Sequence, residues 1–217
     1  MERIAIIGRS GGGKSTLARR LGARLGLPVV HLDVVYWRPG WVKSEAGPFR
    51  ERLAEALAGG RWITDGNFMS TADLHLARAD LIVWVDQPRT LCVRRAIWRA
   101  LTERGGRRAD MAEGCDEKFD PTFYRYIWDW DRKTRPMVEA TIAALAPRTP
   151  LVRLTSDAEI AAFADRAGAL LNDLAKPLVT DDALRQGYRD MSQDAVREDE
   201  ALEWSDALIG DSRRDGD

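Results

Sequence analysis

The residues Gly8-Arg9-Ser10-Gly11-Gly12-Gly13-Lys14-Ser15 fit the pattern G-x-x-x-x-G-K-[ST] in full. Such a run suits one kind of chemistry, the holding of polyphosphate. Glycines let the backbone wrap around phosphate oxygens in conformations that a side chain forbids. Successive N–H groups then face the anion at the start of a helix. Lys14 can reach the β- and γ-phosphates, and the Ser15 hydroxyl can ligate Mg²⁺, whose other protein-side ligand is usually a carboxylate held through water. We therefore expect Gly8, Ser10, Gly11, Gly12, Gly13, Lys14, Ser15 and Thr16 to bind a nucleotide. No guanine-reading N-K-x-D stretch is present, which favours ATP, with Mg²⁺ as the accompanying ion.

The elements around this loop must place it at the end of a sheet. Arg3 to Ile7 is a short apolar run that stops at Gly8, as a buried parallel strand does. Leu17, Leu21 and Leu25 share one face of the helix that follows. Further strands are expected at Val29–Leu32, Trp62–Thr64, Leu81–Val85 and Leu151–Leu154. Helices are expected at Pro48–Leu57, over 89–101, over 121–146, and from the Ser156-Asp157 cap to about Leu174. Strands alternating with helices predict an α/β fold of three layers, α/β/α, around a parallel sheet with right-handed crossovers.

In such a sheet an acceptor belongs at the carboxyl ends of the strands, and Asp33, Asp65, Asn67 and Asp86 all fall there. A carboxylate facing a phosphate loop can bind an acceptor hydroxyl, take its proton or hold the water shell of a metal. We expect Asp33, Trp37, Asp65 and Asn67 to form the acceptor site. Ser15 and Asp86 are the metal candidates. Each has a plainer alternative: a helix cap or turn at Asp33, a tight turn at Asp65-Gly66-Asn67, a structural turn at Asp86-Gln87-Pro88. Trp37 and Trp41 either stack on a planar acceptor or form a small local core. Trp84, Trp98, Trp128 and Trp130 are expected to pack helices on the sheet. His31 is expected to be a packed strand residue, and His75 shows no partner pattern.

Ile4 to Asp33, Trp37-Arg38-Pro39-Gly40-Trp41, Trp62-Ile63-Thr64-Asp65-Gly66-Asn67, Asp110-Met111-Ala112-Glu113-Gly114-Cys115 and Arg132-Lys133-Thr134-Arg135-Pro136 together resemble bacterial topology modulation proteins. These are P-loop NTPases related to adenylate and shikimate kinases, and the resemblance covers about residues 1–170. It implies a five-stranded sheet in the order 2-3-1-4-5, an acceptor site near strands 2 and 3, and a basic lid over about 102–120. It also implies that arginines clamp the nucleotide and the acceptor. Arg94, Arg95 and Arg99 follow strand 4, Arg104, Arg107 and Arg108 lie in the lid, and Arg132 and Arg135 lie on the next helix. Lys14, Asp33, Arg99 and Arg135 are the expected catalytic residues.

The net charge of −1 hides an asymmetry, because residues 180–217 hold twelve acids and five arginines, a net of −7 against +6 for the rest. Leu184, Tyr188, Met191, Ala195, Leu202 and Ile209 keep roughly heptad spacing in that tail. A kinase-like domain over 1–176 and an acidic helical tail over 180–217 are therefore expected. Leu184 to Asp211 resembles the C-terminal tails of small bacterial antitoxins. Three readings of the tail compete: packing on its own body, binding another protein, or disorder. Cys92 and Cys115 have no metal-type spacing. No run is apolar enough to span a bilayer and no signal-peptide pattern is present, so a cytoplasmic protein is expected. No helix-turn-helix, zinc-finger or aromatic RNA-binding signature supports nucleic acid as a partner. The leading expectation is an ATP-dependent small-molecule kinase. The alternatives are an ATP-binding switch that alters DNA topology or expression, and a kinase-type toxin with a fused restraining tail.

Overall fold

The computed structural model describes residues 1–102 and 110–175. The acidic tail and Arg104, Arg107 and Arg108 of the expected lid lie outside the described residues.

A parallel sheet carries the described part of the chain. Its strands are β1 (Arg3–Gly8), β2 (Val29–His31), β5 (Trp62–Asp65), β6 (Leu81–Val85) and β7 (Leu151–Leu154), ordered β2-β5-β1-β6-β7. The order differs in its numbering from the expected 2-3-1-4-5. A two-stranded antiparallel ribbon, β3 (Trp37–Arg38) and β4 (Val42–Lys43), stands between β2 and β5 in the chain. The ribbon turns at Pro39-Gly40-Trp41, where Gly40 and Trp41 both take positive φ, 76° and 62°.

Both faces of the sheet are covered, as the near-continuous apolar strands require. Alternate residues of β1 point to opposite sides. Ile4 and Ile6 pack with Leu17 and Leu21 of α1 (Lys14–Leu25) and with Phe163 and Ala164 of α8 (Asp157–Ala175). Ala5 and Ile7 pack with Phe49 and Leu53 of α3 (Ala46–Ala56), Trp130 of α6 (Pro121–Lys133) and Val138 of α7 (Arg135–Leu145). Three short pieces appear in addition: α2 (Leu32–Tyr36), a 3-10 turn at Met69–Thr71 and α4 (Ala72–His75). The helix expected over 121–146 is two helices. Pro136 lacks an N–H to continue the ladder, and the chain breaks at Thr134.

The helix α5 (Arg89–Thr102) buries Cys92, Ala96 and Ala100 rather than its large apolar residues. Trp98 is 68% exposed and Trp128 46% exposed, so neither packs on the sheet as expected, whereas Trp84 and Trp130 do. His75 is fully buried, and its Nδ1 lies 2.9 Å from the Thr71 carbonyl oxygen. Burial pushes that imidazole down to about 4, so it is neutral at physiological pH.

Candidate functional site

The Gly8–Ser15 loop joins β1 to α1. Gly8 enters it with φ 134°, and Gly13 stands at the helix N-cap with φ 100°. No side chain caps α1. The first amide N–H groups of a helix have no intrahelical partner, so an uncapped N-terminus offers them to an anion. Gly12 N–H donates to the Arg9 carbonyl at 3.2 Å, and Lys14 Nζ donates to the same oxygen at 3.1 Å. That carbonyl closes the loop and holds the lysine over it.

Ser10, Gly11, Gly12, Gly13, Lys14, Ser15 and Thr16 open into a cleft of about 1520 Å³. Asp33, Trp37 and Trp41 line the same cleft, as do Asn67 and Phe68. Arg94, Arg95 and Arg99 of α5 reach it from the other side. Thus most of the expected site residues come together around one space. Asp33 is the second residue of α2 rather than a strand end, two residues after His31 of β2. Arg99 pairs with Glu117, and Arg95 pairs with Asp157 at 2.5 Å.

Five expected residues do not line the cleft. Gly8 is clamped instead by Asn67, whose Oδ1 accepts from Gly8 N at 2.8 Å while its Nδ2 donates to Gly8 O at 2.7 Å. Asp65 is 5% exposed, and its Oδ2 lies 2.9 Å from His31 Nδ1. Asp86 and Arg135 meet each other: Arg135 donates to the two carboxylate oxygens at 3.0 and 2.5 Å. The hydrogen bonds it donates to Asp86 hold Arg135 above its ordinary pKa. Arg132 is largely exposed and lies 3.6 Å from Asp129.

Asn67 is thus a fastener between β5 and the loop. In Asn67→Ala, two half-buried backbone groups lose their partners. We expect a loss of about 2 kcal/mol and a fall in Tm of about 4–8 °C in thermal unfolding.

Several cleft residues carried no motif. Asp120 caps α6 by accepting from Thr122 N and Phe123 N at 2.9 and 3.3 Å, which fixes the start of that helix. Phe123 and Tyr126 then project into the cleft, their rings 6.3 Å apart and nearly parallel. Burial, with the Asp33 carboxylate adding to it, pushes the Tyr126 phenol up to about 12. It therefore keeps its proton at neutral pH and can donate to a ligand. The i, i+3 spacing of these rings was the only signal for them in the sequence.

One side of the cleft is a clip between distant segments. Gly40 N–H donates to Gly114 O at 2.8 Å, Trp41 Nε1 to Asp116 O at 3.1 Å, and Cys115 Sγ to Arg38 O at 3.2 Å. Residues 114–116 thereby fasten the ribbon β3–β4, whose Trp37, Trp41 and Lys43 form one wall. Trp37 and Trp41 also touch edge-to-face at 5.4 Å, and Lys118 lies 5.3 Å over the Trp41 ring.

No family model matches the chain. Among curated proteins, YqaC of Bacillus subtilis strain 168, described as uncharacterized, is 27% identical over 174 residues, covering 76% of this chain and 94% of its own length. It adds no support for the topology-modulation name. Among solved structures, the shikimate kinase of Acinetobacter baumannii in complex with shikimate matches at a TM-score of 0.50 and 15% identity, covering 81% of this chain and 96% of that one. A sugar kinase from Janibacter sp. HTCC2649 matches at 0.46 and 18%, covering 82% and 99%. The chain has the P-loop kinase fold. Among the described residues, no helix is long and apolar enough to cross a membrane.

Proposed function

We propose that this protein is an ATP-dependent phosphotransferase acting on the hydroxyl of a small molecule. One observation carries the reading: the uncapped N-terminus of α1, with Lys14, opens into the same cleft as Asp33. A phosphate site and a carboxylate facing one space are the two halves that phosphoryl transfer needs.

In this reading Ser10 to Thr16 hold the ATP phosphates, and Lys14 and Arg99 offset the charge that spreads over the transferred group. Asp33 orients the acceptor hydroxyl and takes its proton. The hydroxyl oxygen bonds to the γ-phosphorus, the bond from that phosphorus to the β–γ bridging oxygen breaks, and ADP leaves. Tyr126 and Trp37 bracket the acceptor, with the phenol donating. The donor set fits Mg²⁺, because the Ser15 hydroxyl lines the cleft beside the loop and Asp33 supplies a carboxylate. Held there by Ser15 and Asp33, Mg²⁺ would supply positive charge to offset that of the phosphates. Asp86 is less suited to this role, since Arg135 engages both of its oxygens.

The test is ADP formation over a panel of nucleoside monophosphates, sugars and shikimate-like acids. A stimulating acceptor is expected, and Asp33→Asn should lower the stimulated rate by at least about a hundredfold. Binding of ADP without Mg²⁺ should stay within about threefold of the parent, because the variant leaves the phosphate loop untouched. A panel without any stimulation, or an Asp33→Asn enzyme of full rate, overturns the reading.

A further inference from the structure

Arg9 occupies a position of the phosphate loop at which the motif accepts any residue, and its side chain is 2% exposed. Burying a guanidinium is costly unless its charge is answered. Two groups answer it. Nη1 donates to the Gln87 carbonyl at 2.7 Å, and Nη2 lies 2.5 Å from Oδ1 of Asp131 on α6. Asp131 is shared with Arg135 at 3.0 Å, which in turn grips Asp86, and Arg153 lies 3.8 Å from Asp86. Charges alternate along the whole chain from the loop to β7.

The backbone of the same residue closes the loop, since the Arg9 carbonyl accepts from both Gly12 N–H and Lys14 Nζ. At the other end of the bridge, α6 carries Phe123 and Tyr126 into the cleft. One residue is therefore fixed by its side chain to the helix that forms the facing wall, and by its carbonyl to the shape of the phosphate nest.

We infer that Arg9 and Asp131 are positioning residues, an ion-pair bolt that holds the phosphate loop in its anion-accepting shape against α6. Nucleotide affinity then depends on a side chain of α6 that does not line the cleft. The inference rests on the phosphate loop being a nucleotide site, as proposed above. Pre-organised donors bind more tightly because their ordering cost is met before the ligand arrives.

The experiment titrates the full-length protein with a fluorescent N-methylanthraniloyl ADP and Mg²⁺, well below each variant's Tm. Asp131→Asn, a neutral isostere at a half-exposed position, should weaken binding about tenfold, which corresponds to about 1.4 kcal/mol. Arg9→Lys should do the same, because one ammonium does not span both the Gln87 carbonyl and the Asp131 carboxylate. Asp131→Glu should retain most of the affinity. The double variant Arg9→Gln/Asp131→Asn should bind no more than about twofold more weakly than Arg9→Gln alone, since one bridge is lost only once. A merely structural role would lower Tm and leave affinity and this non-additivity unmoved. Affinity within about twofold of the parent in Asp131→Asn, or in Arg9→Lys should the first variant not fold, overturns the inference, as does full additivity in the double variant. Lys14→Ala separates the two ideas. If it still binds the probe, the site assignment is at fault. If it loses the probe while Asp131→Asn keeps it, the bolt alone fails.

Discussion

Lys14→Ala should weaken the binding of ADP with Mg²⁺ by at least about a hundredfold and change the unliganded Tm little. The ammonium is the one side-chain cation of the Gly8–Ser15 motif that lines the cleft, while Arg9 turns beneath it. Charge-assisted contacts to phosphate contribute about 1.5–3 kcal/mol each, and each factor of ten in affinity is about 1.4 kcal/mol. Lys14 gives the fold one hydrogen bond, to the Arg9 carbonyl at 3.1 Å. Its loss should cost about 1 kcal/mol or less. Thermal shift reads both effects together. The parent should gain about 2.7 kcal/mol at a hundredfold excess over Kd, and the variant almost none at the same ligand concentration. An undiminished shift in the variant would show that the nucleotide binds elsewhere.

Gly8→Ala should act on the fold as much as on the ligand. Gly8 pairs with Val85 at the end of β1, and a Cβ there would stand 2.1 Å from the Val85 carbonyl oxygen and 2.9 Å from its carbon. The obstacle is backbone of a central strand, which no side-chain rotation relieves. The φ of 134° is in addition one that side chains rarely adopt. Strain and displacement together should cost at least about 3 kcal/mol, lowering Tm by about 6–12 °C in thermal unfolding. Nucleotide binding should fall with it, because the residue that moves sets the start of the loop. A Tm within about 2 °C of the parent would contradict this account.

The shape of the Gly8–Ser15 loop was legible in the sequence because its residues are consecutive, where spacing alone fixes geometry. That Asp33 lies in one cleft with the loop was legible from its place just after a strand, although it sits one step inside a short helix. What stayed hidden depends on side chains meeting across long separations. Asp86 looks free in its turn until Arg135, far along the chain, takes both oxygens. Arg9 and Asp131 are hidden for the same reason, since the motif places no demand on residue type at that position.

Trp98 of α5 and Trp128 of α6 failed for another reason. Size and hydrophobicity suggest that Trp98 should be inside, yet the packed stripe of α5 is Cys92, Ala96 and Ala100. The helix passes so near the loop that a Cβ on Gly11 would lie 2.4 Å from the Cys92 carbonyl oxygen. Close approach selects small residues, and the large ones turn outward.

The clip between the ribbon and residues 114–116 bears on how such sequences can diverge. A Cβ on Gly114 would come within 3.1 Å of Pro39, and the Gly114 carbonyl is the acceptor for the Gly40 N–H. Neither stretch can be rebuilt alone. Lengthening the ribbon turn, or moving bulk into the facing segment, needs an answering change some seventy-five residues away. Among relatives that keep this wall, residues 38–41 and 114–116 should therefore vary as a pair, and a chimera that exchanges only one of them should lose the wall.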